Sequence, residues 1–184
     1  LVATGDHVVV VHGGGKQMTR FLNERGVESR FVNGLRVSTP EVIDAVLKVF
    51  AGTVNHELVA SMVAAGVRAV GLSGIDAGLV VAEPLREEYG AVGRPTRANG
   101  ALLQHLCTGG FVPVVACVAG NGRGSILNVN ADQMAAACSI GFQADRVFLL
   151  TDVDGVKDAS GSVMRALDTR HIVGLIRDGI ATGG

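Results

Sequence analysis

The sequence predicts an α/β fold, a three-layer αβα sandwich around an open, mostly parallel central sheet. Three observations lead there. Short apolar runs rich in Val, Leu and Ile recur along the chain, separated by stretches with the helical apolar repeat. Those runs are apolar throughout instead of alternating, as strands covered on both faces are. Several end in small glycine or polar loops: Gly13-Gly14-Gly15, Ser73-Gly74-Ile75-Asp76 and Thr151-Asp152-Val153-Asp154. Parallel strands would gather those loops at one sheet edge, where such folds bind ligands.

Taken in order, residues 7–11 read as a buried strand feeding the glycine turn. Met18, Phe21 and Leu22 mark one face of a helix over residues 17–25, closed by Gly26. A second helix starts at Thr39-Pro40, a capping residue followed by a proline suited to the first turn. A third covers residues 55–65 and stops at Gly66; residues 67–72 are a strand and 79–85 an extended segment. Residues 90–99, punctuated by Gly and Pro, read as a loop. A helix over 101–107, a strongly apolar strand over 112–118 and a hairpin turn at Asn121-Gly122-Arg123-Gly124 follow. A helix over 131–140, a strand over 146–150 and a helix over 168–177 complete the reading.

Composition narrows the function. Of 184 residues 48% are hydrophobic and 18% charged, enough for a sizeable core and against disorder. The net charge is -1 with no basic stripe, which argues against nucleic acid as the main partner. No apolar run of about 20 residues and no signal peptide is present, so no membrane span is expected. Cys107, Cys117 and Cys138 lack Cys-x-x-Cys spacing and sit among apolar residues, as reduced thiols of a cytoplasmic protein do. The chain begins with Leu1 and stops at Gly184 as if cut from something continuous at both ends, and no linker divides it.

Four segments carry chemistry. Gly13-Gly14-Gly15 lets backbone N–H groups approach an anion at a helix start, although it also reads as a plain turn. It matches neither a Walker loop nor the dinucleotide G-x-G-x-x-G. Asn33-Gly34 turns the chain and delivers Arg36, whose planar fork suits a carboxylate or phosphate; the alternative is a surface or helix-capping arginine. In Asn128-Val129-Asn130-Ala131-Asp132 the two amides share a strand face and Asp132 falls in the first helical turn. That cluster is either a helix cap or a set of polar groups around a reacting centre. Residues 151–157 form a Thr-Asp loop whose aspartates lack EF-hand spacing, and no metal site is expected in the protein itself. Met134 and Met164 read as core fillers, and His56, His105 and His171 as packing or surface histidines; Asp76 is left as either a turn or a substrate-loop residue.

Together, His12-Gly13-Gly14-Gly15, Asn33-Gly34-Leu35-Arg36-Val37, Val70-Gly71-Leu72-Ser73-Gly74, Asn128-Val129-Asn130-Ala131-Asp132 and Leu150-Thr151-Asp152-Val153-Asp154-Gly155-Val156 resemble the amino acid kinase family. Within it they resemble the branch acting on N-acetyl-L-glutamate. The resemblance implies ATP-dependent phosphorylation of the side-chain carboxylate, yielding an acyl phosphate for arginine biosynthesis, with Mg²⁺ held mainly by phosphates. It implies Gly14, Gly15, Arg36, Asn128 and Asn130 as substrate-binding residues. Asp132 would be the catalytic organiser of two lysines lying outside residues 1–184. Thr151, Asp152, Val153, Asp154, Gly155, Val156, Lys157, Ile180, Ala181 and Thr182 would line the nucleotide site. It implies one domain over 1–184, with the substrate side at about 1–120 and the nucleotide side at about 121–184, and a homodimer or hexamer. The alternatives are a sister kinase for N-succinylglutamate or acetylaminoadipate, and a non-catalytic sensing domain of the same fold.

Overall fold

The structure is a computed structural model that describes residues 2–180. The chain divides into two compact units, Leu1–Val147 and Phe148–Gly184, described separately below.

The first unit is built on a parallel sheet of three strands in the order β1-β7-β4: β1 (Val10–His12), β7 (Val112–Ala116) and β4 (Ala69–Ser73). β7 pairs in parallel with both neighbours, Val114 lying opposite Val10 and Gly71. All five residues of β7 are buried. Successive side chains leave a strand on opposite faces, so both faces of β7 are covered, as its unbroken apolar run foretold.

Helices follow from their apolar spacing and caps. α1 (Gly15–Asn23) buries Met18 and Leu22, one turn apart. α2 (Pro40–Val46) starts where expected: Thr39 Oγ1 accepts from the Val42 N–H at 3.4 Å, and Pro40 fills the first position. It runs through a π-helical stretch, Leu47–Val54, into α3 (Asn55–Ala64), so residues 40–64 form one continuous helical rod. α4 (Gly100–Thr108) and α5 (Ala131–Phe142) pack on each other, and Leu103, Met134 and Cys138 enter the core.

Two strand expectations are corrected. Residues 90–99 form not a loop but mostly β6 (Val92–Ala98), antiparallel to β5 (Val80–Pro84). Pro95 misled the reading: it sits opposite Ala82 beside a bulge at Val81/Ala82, where a strand tolerates a residue without an N–H. With β8 (Val118–Gly120) and β9 (Ile126–Val129) these strands close a four-stranded set, β5-β6-β9-β8, of mixed direction. The expected strand over 146–150 does not form. A strand exists by pairing, and no described strand pairs with this run, whose Leu150 is 98% exposed.

The hairpin turns match the sequence. Asn121 Oδ1 accepts from the N–H groups of Arg123 (2.8 Å) and Ser125 (3.0 Å), joining β8 to antiparallel β9. β2 (Phe31–Val32) and β3 (Leu35–Arg36) are joined by Asn33 and Gly34, both at positive φ as a two-residue hairpin turn requires. The three cysteines are free and buried, and burial pushes Cys117 to about 12 and Cys138 to about 11. In the second unit α6 (Thr169–Arg177) is capped reciprocally: Asp168 accepts from the His171 N–H at 2.9 Å while His171 faces the Asp168 N–H. No described helix is long and apolar enough to cross a membrane.

Candidate functional site

β1 ends at His12, and the chain turns through Gly13 and Gly14 into α1. Gly14 is the N-cap of α1 and brings no side chain to cap it, so the first amides of the helix lack that partner. The site also needs glycine here for space. A Cβ on Gly14 would stand 2.9 Å from the Phe50 ring, and one on Gly13 would stand 3.3 Å from Ala131 Cβ, the first residue of α5. The glycine turn and the Asn128-to-Asp132 segment are therefore neighbours.

Arg36, the last residue of β3, is half-buried and held on two sides. One guanidinium nitrogen donates to Ser29 Oγ and the other to Thr19 Oγ1 at 2.8 Å, with the Phe31 ring centroid 4.6 Å away. Burial lowers its pKa from the ordinary value, yet an arginine stays cationic at neutral pH. Thr19 Oγ1 in turn donates to the Gly15 carbonyl at 2.9 Å. Arg36 and the glycine turn are thus linked through one hydroxyl.

A second link runs to Asn128. Ser38, 1% exposed, donates its hydroxyl proton to the Arg36 carbonyl at 3.1 Å and accepts from Asn128 Nδ2 at 3.0 Å. Gly15, Thr19, Arg36, Ser38 and Asn128 form one hydrogen-bonded run across α1, β3 and β9. Asn130 is the N-cap of α5, its Oδ1 accepting from the N–H groups of Asp132 (2.9 Å) and Gln133 (3.1 Å). The helix-cap alternative for Asn130 is therefore what its oxygen does. Asp132 is exposed in the first turn, where the helix dipole favours an anion.

Asp76 is a turn residue: its carboxylate accepts from the Ser73 N–H at 2.6 Å and the Ser73 hydroxyl at 2.8 Å. It also lines a cavity of about 350 Å³ with Asn55, His56, Gly71 and Ser73. That cavity does not include Arg36 or Asn128 among its lining residues. His56 and His171 are exposed and their rings contact backbone within their own helix or cap, as surface histidines do.

In the second unit, Thr151, Asp152, Val153, Asp154, Gly155, Val156, Lys157 and Ile180 are exposed. Lys157 pairs with Val163 in an isolated antiparallel bridge, and Asp158 holds the turn between them through Ser160 and Ser162. Ala181 and Thr182 lie outside the described residues. A cavity of about 400 Å³ is lined by Asp168, Arg170, His171 and Asp178, and residues 151–157 are not among its lining.

Sequence reasoning missed the side chains that hold the site: Thr19, Ser29, Ser38, and the pair of half-buried His12 and buried Asn55. His12 stood in a quoted motif, but nothing local pairs it with a residue 43 positions away.

Comparison with known proteins closes the picture. A model described as "Amino acid kinase family" matches residues 1–184. The acetylglutamate kinase of Solibacter usitatus is 63% identical over 182 residues, covering 99% of this chain and 71% of that protein. The solved structure of smu.665 from Streptococcus mutans UA159 superposes with a TM-score of 0.91 at 28% identity, covering 100% of this chain and 75% of that one. An N-acetylglutamate synthase from Neisseria gonorrhoeae, solved with coenzyme A and N-acetyl-glutamate, shares the fold at a TM-score of 0.81 and 22% identity. This chain spans 41% of that synthase chain, and the match covers 96% of this chain.

Proposed function

Because the chain belongs to the amino acid kinase family, we propose that it is the binding body of an acetylglutamate kinase. The reaction is ATP-dependent phosphorylation of the side-chain carboxylate of N-acetyl-L-glutamate, giving N-acetylglutamyl 5-phosphate in arginine biosynthesis. The single observation that supports the site is the hydrogen-bonded run from Gly15 through Thr19, Arg36 and Ser38 to Asn128. It holds the glycine turn, one guanidinium and one amide together in the first unit.

The chemistry suits these groups. The attacking carboxylate is already ionised at neutral pH, so no strong base is needed. The difficulty is bringing two anions together and stabilising charge on the transferring phosphoryl oxygens. Arg36 binds the substrate's α-carboxylate, with Asn128 and the Nδ2 of Asn130 beside it. The amides of Gly14 and Gly15 face substrate and phosphoryl oxygens. Asp132 positions the family's lysines, and residues 151–157, Ile180, Ala181 and Thr182 take the nucleotide. Among the described residues no three His, Cys, Asp or Glu side chains converge to hold a cation. A Mg²⁺ ion entering with ATP would be held mainly by phosphate oxygens and would neutralise phosphate charge. The working protein is a cytoplasmic homo-oligomer, a dimer or a hexamer.

The test is a panel of acylated dicarboxylic amino acids given to the complete gene product with MgATP. N-acetyl-L-glutamate is expected to have the highest kcat/KM. A preference for N-succinylglutamate or acetylaminoadipate moves the protein to a sister kinase; turnover of none, with ligand still bound, makes it a sensing domain.

A further inference from the structure

His12, half-buried, and Asn55, buried, form a pair to which the phosphoryl-transfer chemistry assigns no role. His12 Nδ1 lies 2.8 Å from the Gly13 carbonyl oxygen, and Nε2 lies 2.9 Å from Asn55 Nδ2. A carbonyl oxygen only accepts, so Nδ1 carries a proton; an amide nitrogen only donates, so Nε2 is bare. The Asn55 amide is oriented independently of the ring. The same Nδ2 lies 2.9 Å from the Val114 carbonyl oxygen and 3.4 Å from that of Leu72, where an amide oxygen would meet no donor. The ring is neutral, in its Nδ1–H form, and its burial acts in the same direction.

The placement of Asn55 gives this pair its reach. Asn55 opens α3, is 3% exposed, and contacts His12 of β1, Leu72 of β4 and Val114 of β7. One amide group therefore registers all three parallel strands and the ring at the end of one of them.

The peptide after His12 matters most. The Gly13 carbonyl and the Gly14 N–H belong to one planar peptide unit and point in opposite directions. Between two glycines such a unit rotates with little steric opposition. A rotated unit would turn a partial negative charge toward any anion at the turn. Holding the Gly13 oxygen therefore fixes where the Gly14 N–H points.

We propose that Asn55 is a positioning residue: it holds His12 in the neutral Nδ1–H form, and the ring holds the Gly13–Gly14 peptide with its N–H presented to the substrate anions. The tautomer follows from geometry alone, whereas the effect on turnover rests on the kinase reading.

Two measurements on the complete gene product separate those parts. With ¹⁵N-labelled histidine at neutral pH, imidazole nitrogen shifts report the tautomer. The wild-type protein is expected to show a protonated Nδ1 and a bare Nε2 at His12, and Asn55→Ala a mixture moved toward Nε2–H, the form free imidazoles prefer. An Nε2–H ring in the wild-type protein overturns the proposal whatever the enzyme does. Steady-state kinetics with MgATP and N-acetyl-L-glutamate read the consequence. His12→Leu, which removes the donor to Gly13, lowers kcat/KM by about tenfold to a hundredfold, the scale of a misplaced group. His12→Asn, whose amide reaches the same carbonyl, recovers most of that loss. No loss in His12→Leu, or equal loss in both variants, overturns the positioning role. Should Asn55→Ala fail to fold, the wild-type tautomer and the two His12 variants still decide. The expected tautomer in a protein that transfers no phosphoryl group refutes the kinase reading and supports the proposal through its spectroscopic arm.

Discussion

Arg36 shows what a single residue does and what its neighbours must do for it. Its guanidinium is half-buried and already donates to Ser29 and Thr19, so it is fixed in place before any ligand arrives. A preset fork loses less freedom when it binds a carboxylate. Arg36→Ala is expected to raise KM for the acylated amino acid by about tenfold or more, since charge-assisted hydrogen bonds are worth about 1.5–3 kcal/mol. An unchanged KM in steady-state assays removes Arg36 from the substrate site. His12 yields a pH prediction. Its pKa is lowered below the usual histidine value, chiefly by burial, with the Gly13 carbonyl acting weakly the other way. The unfolded chain therefore binds more protons between the ordinary value near 6.5 and the lowered folded one. The stability tied to neutral His12 is complete above about pH 6.5 and is lost as pH falls toward the folded value. Urea midpoints measured from pH 7.5 to pH 5 are expected to fall, and to fall less in His12→Asn.

At the scale of elements, the packing of α4 on α5 rests on backbone approach. A Cβ on Gly100 would run into the carbonyl of Gly141, and a Cβ on Gly141 would stand 2.9 Å from Ala98 Cβ. Backbone cannot step aside as a flexible side chain can, so Gly100→Ala must push the two helices apart. A loss of about 1–3 kcal/mol is expected, the usual cost of overpacking. Chemical denaturation measures it, and a variant as stable as the parent refutes the close crossing. Most elements were legible because their signals are local: Thr39-Pro40 at a helix start, Gly66 at a helix end, Asn33-Gly34 in a hairpin. β6 was not, because its Pro95 is harmless only beside a bulge, the extra residue Thr96, that is defined only once β6 pairs with β5. Residues 146–150 failed in the opposite way, since an apolar run carries no record of whether a partner strand exists.

For the whole molecule, stability is expected to be graded. β7 is bonded on both sides and wholly buried, whereas residues 146–157 are exposed. Hydrogen exchange followed by mass spectrometry should leave peptides over 112–116 protected longest and exchange those over 147–157 first. Early exchange of β7 would contradict its place at the centre of the sheet. The α/β class, the helix starts and the positions of the glycine and Asn-Gly turns were determined by sequence alone. Each rests on periodicity, caps or glycine placement, interactions spanning a few residues. Only the tertiary structure decided that Arg36 is held by Thr19 and Ser29, that Ser38 joins it to Asn128, and that Asn55 Nδ2 meets the ring of His12. Those bonds join residues up to 90 positions apart. Hydrogen-bond partners are chosen by proximity in the folded chain, and no local pattern encodes that proximity.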